Sequence, residues 1–311
     1  MIPGMRPMED RERVLLARDV LTDMLVAAER DNDTATLNTV AEFTRSKGQD
    51  ALQKWVMRCA NLTELWYGPG AWQPPMAPQV KQLLGIPSDA DESWAHDVLS
   101  SDVFPDHQLQ AILPLMESWS AKTGAETAAF IREWLSIGVT ERAERYGQFY
   151  KTILTANGSP RQMKKPAQED PSLPDRQQEI AEALAMFDAR RSLLELSEFL
   201  APALELGRTF ALRWDAAKMR EGLLDFDDLI QKAAALLRQK DAADWIRFKL
   251  DRRFDHILVD EAQDTNEAQW KIIDALIDDY FSGLGASGDK LRTIFAVGDY
   301  KQAIFGFQGT S

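Results

Sequence analysis

Cysteine and histidine are scarce in this sequence: Cys59 stands alone, and His96, His107 and His256 are the only imidazoles among 311 residues. One cysteine excludes a disulfide within the chain and fits a reducing compartment, so a cytoplasmic protein is expected. The three histidines have no metal-ligand spacing with one another or with Cys59, and no zinc site is expected. Long apolar runs are missing too. Nothing approaches the roughly 18 apolar residues of a membrane span, and the opening MIPGMRPMEDRERVLL has no apolar stretch of signal-peptide length. Positive charge is in deficit, with 36 Lys and Arg against 49 Asp and Glu and a formal net charge of -13. The average field therefore repels phosphates, and any contact with nucleic acid falls to a local basic patch. A Gly-Lys dipeptide is absent as well. These residues therefore lack the G-x-x-x-x-G-K-[ST] loop, whose backbone amides and lysine cradle nucleotide phosphates.

What is present is mostly helical pattern. The length suits one large domain or two ordinary ones. Residues 9 to 66 place apolar side chains at helical spacing, interrupted at Gly48. Residues 67 to 94 are rich in Pro and Gly and read as a loop broken by a short turn of helix. Helical spacing resumes over 107–121, 125–137 and 140–154, and 155–174 reads as a polar linker or hairpin-like excursion. From 175 to 222 the only punctuation is Pro202 and Gly207, which predicts one long bent helix or two in series. The tryptophans, such as Trp55, Trp119, Trp134 and Trp214, fall within these patterns and are expected in the core.

The period changes near the end. HILVDE (256–261) and RTIFAVGD (292–299) are short apolar runs closing on acidic residues, with the amphipathic stretch 266–281 and the loop 282–290 between them. Strand, helix, strand at this spacing predicts a βαβ unit, in which ligands gather at the carboxyl ends of parallel strands. Asp260 and Glu261 lie at one such end, Gly298 and Asp299 at the next. An acidic pair after a strand is also a common way to open an ordinary loop. The same geometry suits nucleotide hydrolysis: one carboxylate holds a hydrated magnesium ion, and the second polarises the attacking water.

The surrounding residues decide between these readings. DEAQDT (260–265), followed by GDYKQAIFGFQG (298–309), resembles the second and third motifs of superfamily 1A DNA helicases, the UvrD/Rep/PcrA and RecB-like group. GLLDFDDLI (222–230) is similar to the segment by which those proteins return from an inserted helical subdomain to the motor core. Within the group, KLDRRFDHILVDEAQDT, WDAAKMREGLLDFDDLI and KTILTANGSPRQMKK look like the AddA branch of helicase-nuclease subunits. The resemblance covers most of the second half of the chain and one spot in the first.

The resemblance implies ATP and Mg²⁺ as cofactors, with Asp260 the magnesium ligand, usually through water, and Glu261 the catalytic base. It implies that Gln263 and Asp264 link the hydrolysis site to neighbouring core segments, although a turn or helix cap would use the same residues. Gln302 matches the glutamine that senses the γ-phosphate. Phe305 and Phe307 match aromatic positions that stack on bases of single-stranded DNA, Phe305 standing where the family usually has Tyr. Gln308 stands where many relatives have Arg, which removes a charge there. Asp225 to Asp228 read as a helix-start device.

Between residues 141 and 166 six basic side chains (Arg142, Arg145, Lys151, Arg161, Lys164, Lys165) face two acidic ones, Glu141 and Glu144. That local reversal of charge marks either a DNA-backbone patch, for which Arg161, Lys164 and Lys165 are the candidates, or a solvated loop. The fold expected is mostly α: a helical insert resembling a 1B subdomain over residues 1–180, then part of a RecA-like α/β motor domain, 1A, over 181–311, with a few parallel strands. The chain is expected to be a piece of a longer helicase-nuclease polypeptide that engages single strands and duplex ends in double-strand-break repair. It would work beside an AddB-like partner subunit, off the membrane, and this piece alone would be inactive as an ATPase. The rival reading is a non-catalytic helical module that binds DNA or a partner, with a structural motor remnant.

Overall fold

The computed structural model describes residues 4–238, 255–281 and 293–299. It is mostly helical, with two short parallel strand pairs among the described residues. The chain opens with β1 (Arg6–Pro7) and continues through α1 (Asp10–Arg30), α2 (Thr34–Lys47), α3 (Gln49–Asn61) and α4 (Thr63–Trp66). A capping box starts α1: the Glu9 amide donates to the Glu12 carboxylate at 3.1 Å. Asp33 starts α2 by accepting from the Thr36 amide, and Gly48, at φ 90°, separates α2 from α3. Buried Leu16, Val20, Met24 and Ala28 recur every four residues along α1 and form the apolar stripe that a half-buried helix needs.

The next stretch holds α5 (Ala77–Leu83) and α6 (Glu92–His96) within the Pro-rich segment, then α7 (Asp106–Ser118), α8 (Lys122–Ser136), α9 (Val139–Arg145), α10 (Phe149–Thr152) and α11 (Lys164–Glu169). The Pro-rich segment thus carries two short helices where one turn was expected. Phe104, Phe130, Trp134 and Phe149 form the aromatic centre of this core, with the Trp134 and Phe149 rings edge to face at 4.6 Å. The excursion before α11 is a hairpin: Leu154 bridges Pro160 antiparallel, and Gly158 supplies the left-handed turn.

A single helix of 49 residues, α12 (Leu173–Glu221), then continues through Pro202 without a break. Beyond it come β2 (Leu223–Leu224), α13 (Phe226–Arg238), β3 (His256–Val259), α14 (Glu267–Phe281) and β4 (Thr293–Ala296). β2 pairs parallel with β1, and β3 parallel with β4. No helix among the described residues is long and apolar enough to cross a membrane.

The chain forms two compact units, one of residues up to Trp72 and from Leu206 onward, the other Gln73–Glu205. The compact units follow a different line from the functional division expected at residue 180. That position lies inside α12, where the backbone has no break, and the first 72 residues close on the far end of that helix. Gly207 shows why. A Cβ there would stand 2.8 Å from Cys59 Cβ, so α3 and α12 meet at a point that only glycine permits. Burial at this contact pushes the Cys59 thiol up to about 12, as fits an inert core residue. Tyr67 and Trp72 add hydrogen bonds, Tyr67 Oη donating to Asp215 at 2.8 Å and Arg208 to the Trp72 carbonyl at 3.1 Å.

Candidate active site at two parallel strand ends

The register of β3 and β4 sets the site. Val259 is paired with Ala296, so both strands end level, and Asp260–Glu261 leaves one end beside Val297–Gly298–Asp299 at the other. Two backbone bonds extend the pairing past the strands. The Val297 amide donates to the Val259 carbonyl and the Ala262 amide to the Val297 carbonyl, each at 2.8 Å. Asp260 and Glu261 are exposed, and the Asp260 carboxylate accepts from the Glu261 amide at 3.0 Å.

Glu261 sits in the left-handed region, φ 51° and ψ 47°, where a residue with a Cβ is strained. What holds it is Gln263. Its side-chain nitrogen donates to the Glu261 carboxylate, and its side-chain oxygen accepts from the Asp299 amide at 2.9 Å. Only 8 % of Gln263 is exposed, so one buried carboxamide connects the two strand ends. Gly298 makes room for it: a Cβ there would lie 2.6 Å from Gln263 Oε1 and 3.1 Å from the Ala262 nitrogen. Asp264 follows in a short 3₁₀ turn, and its Oδ1 is buried without a hydrogen-bond partner among the described residues. The helix after the turn starts on a reciprocal box, Asn266 and Gln269 each accepting from the other's amide at 2.9 Å. Gln302, Phe305, Phe307 and Gln308 lie outside the described residues.

The DFDD segment forms a second such box. Asp225 caps the Asp228 amide at 2.8 Å, and Asp228 accepts from the Asp225 amide at 3.0 Å. Sequence reading did not foresee the buried cation beneath it. Lys218 Nζ lies 2.8 Å from Asp225, 2.7 Å from Asp228 and 3.2 Å from Asp215. Burial opposes the ammonium charge, but hydrogen bonds to Asp225 and Asp228 outweigh it and raise the lysine pKa. Burial works against Asp225 as well, yet Lys218 holds its carboxyl below the ordinary range. Asp228 and Asp227 shift upward, burial being the larger cause for both. The signal was available as a lysine seven residues before the capping box, but nothing local distinguishes it from a solvated one.

The basic segment divides. Arg142, only 1 % exposed, donates to Asp106 at 2.7 Å, the Leu99 carbonyl at 2.9 Å and the Trp134 carbonyl at 3.2 Å, with its guanidinium 5.1 Å from the Trp134 ring centre. A cation so enclosed cannot meet a phosphate, and Arg142 leaves the patch. Arg145 pairs with Glu133, and Arg161 donates to the carbonyls of Leu154 and Tyr150 along the hairpin. Lys151, Lys164 and Lys165 are exposed. Trp134 and Trp214 are fully buried, as core residues, while Trp55 and Trp119 are partly so.

The family described as UvrD/REP helicase N-terminal domain matches residues 107–311. The AddA subunit of an ATP-dependent helicase/nuclease from Exiguobacterium sibiricum is 25 % identical over 98 % of this chain and 26 % of its own length. The protein of the same name from Geobacillus kaustophilus is 32 % identical over 38 % of this chain and 9 % of its own. The RecBCD enzyme subunit RecB of Mycolicibacterium smegmatis is 33 % identical over 35 % of this chain and 9 % of its own. The chain thus spans about a quarter of the length of the first of these relatives.

Proposed function

The chain belongs to the UvrD/REP helicase N-terminal domain family, and from that premise we propose that it is part of an ATP-dependent DNA helicase or translocase. The observation that carries this reading is the level pairing of β3 with β4, which sets Asp260–Glu261 beside Asp299 through a single buried glutamine. Parallel strands gather ligands at their carboxyl ends, and the acidic pair stands at such an end. Asp260 presents an exposed carboxylate with one oxygen on the Glu261 amide, a donor set that fits Mg²⁺, which takes few carboxylates and keeps its waters. Bound magnesium and ATP would supply charge neutralisation and the phosphoryl group. Glu261 would accept the proton of the attacking water, and Gln263 would hold the Glu261 carboxylate in line. Gln302 is assigned to the γ-phosphate and Phe305 and Phe307 to base stacking, on family resemblance alone.

By the same resemblance the whole protein is a cytoplasmic helicase-nuclease, working beside an AddB-like subunit in recombinational repair of double-strand breaks. Residues 1–180 are assigned to a 1B-like element and 181–311 to the 1A motor as functional labels, distinct from the compact units. Arg161, Lys164 and Lys165 are assigned to the DNA backbone, with Lys164 and Lys165 exposed for that contact.

The test is DNA-stimulated ATP hydrolysis. Glu261→Gln in a protein that also carries a phosphate loop should lower kcat by about 10²–10⁴, the usual contribution of a positioned base, while nucleotide still binds. The 311-residue chain, without a Gly-Lys pair, should turn over no ATP. Unchanged turnover in Glu261→Gln would sink the assignment and favour the non-catalytic module.

A further inference from the structure

Beside the hairpin that precedes α11, and wholly within the unit of residues 73–205, lies a cavity of about 220 Å³. We infer that this cavity receives one unstacked base of a single DNA strand whose backbone lies on Lys164 and its neighbours. The inference rests on the DNA-binding reading above and adds a base site to it.

Three features support it. The walls are mostly apolar: Pro160 closes the hairpin, Met163 and Leu173 are buried, and Pro174 lies at the start of α12. Proline rings and a methionine sulfur suit the face of an aromatic ring. The volume lies below the ~300–1,000 Å³ of a whole small-molecule site, which suits a single ring system rather than a complete nucleotide.

Gln177 supplies the polar element. It is 2 % exposed, and its side-chain nitrogen donates to the Ile153 carbonyl at 2.9 Å and the Arg161 carbonyl at 3.1 Å. Those bonds fix the carboxamide, while its oxygen accepts no hydrogen bond from any described residue and is not sealed from solvent. An acceptor held in place and open to solvent can take a donor that enters beside it. Each of the four bases carries an N–H on its pairing edge, so one fixed acceptor serves any sequence.

The rim supplies charge. Lys164 is exposed at the mouth, Lys165 follows it, and Arg161 lines the wall while its guanidinium ties down Leu154 and Tyr150. In a chain of net charge -13 such a concentration selects for a polyanion. A strand that lays phosphates on the lysines brings its bases within reach of the pocket.

The experiment measures affinity of the full chain for a labelled oligo-dT and for the same strand with abasic sites at its centre, across a salt series. The abasic strand should bind about fivefold more weakly, the size of one neutral hydrogen bond, with the same salt slope, because the phosphates are unchanged. Ala167 also lines the cavity. Ala167→Leu should fill it, keep the salt-dependent binding and abolish the difference between strands. Independently of any variant, a strand carrying 4-thiothymidine should crosslink within residues 160–177. Equal affinity for both strands, a preference that survives Ala167→Leu, or crosslinks confined to other segments would each overturn the base pocket alone. Displacement of the strand by thymidine monophosphate at comparable concentration would make the cavity a free-nucleotide site and overturn it too. Failure of every strand to bind would overturn the basic-face reading together with it.

Discussion

Arg142 and Glu261 are both charged side chains that the sequence marks for function, and the fold treats them in opposite ways. In the unit of residues 73–205, Arg142 is enclosed by Asp106, two carbonyls and the Trp134 ring. At the strand ends of the other unit the charges of Asp260 and Glu261 face solvent, and the buried polar group is the neutral Gln263. A buried cation with each of its three nitrogens bonded makes structure. An exposed carboxylate in a strained backbone, oriented by a buried amide, is the arrangement on which the proposed catalytic role rests.

The contrast can be broken most forcefully at Arg142. Arg142→Ala leaves Asp106 half-buried without its cation, and loss of one partner of a buried pair costs about 3–5 kcal/mol. Urea denaturation should show that loss, with DNA affinity per folded molecule unchanged. A folded variant with weakened DNA binding would return Arg142 to the patch.

Lys218→Met should cost less, about 3 kcal/mol, because Asp215 and Asp228 are partly open to water. Its pH dependence has a definite sign. The raised lysine pKa makes its contribution complete below the ordinary value of 10.5, with loss as pH rises through the folded value. The lowered Asp225 pKa makes its contribution present above the ordinary 3.8 and lost as pH falls through the folded value. Asp228, shifted upward, works against stability once ionised and offsets part of the acid limb. The stability difference between wild type and Lys218→Met should therefore be flat in the neutral range and shrink toward both extremes. A difference that grows in alkali would refute the ion cluster.

Gly298→Ala sharpens the other side of the comparison. The added methyl would meet Gln263 Oε1 at 2.6 Å and shift the amide that holds Glu261. A displacement of about 1 Å can cost 10²-fold in rate, so kcat for ATP should fall by roughly that factor in a complete motor while KM changes little. A rise in KM alone would argue that Gly298 serves nucleotide binding instead.

The smallest effect on stability is expected from reversing Lys164 and Lys165 to Glu. Surface changes of this kind stay within about 0.5 kcal/mol, whereas DNA affinity should drop and its salt dependence flatten. Unchanged affinity would make the segment a solvated face.

The helical nature of the chain, the βαβ unit and the helix start at Asp225–Asp228 were legible from sequence, because periodicity and Asp-x-x-Asp spacing act over one or two turns. So was the acidic pair, since strand polarity alone puts Asp260 and Glu261 at a carboxyl end. What tertiary structure decided was which charges remain available. Arg142, Arg161 and Lys218 are written in the same alphabet as Lys164, and the folded chain draws two of them inward, Arg142 to Asp106 far away in sequence and Lys218 beneath the nearby DFDD box. The division into units followed the same rule: no local signal shows that the first 72 residues close on the far end of a helix beginning at Leu173. Burial is a property of the assembled chain, and the free energy of a charge depends on burial more steeply than on anything its neighbours in sequence provide.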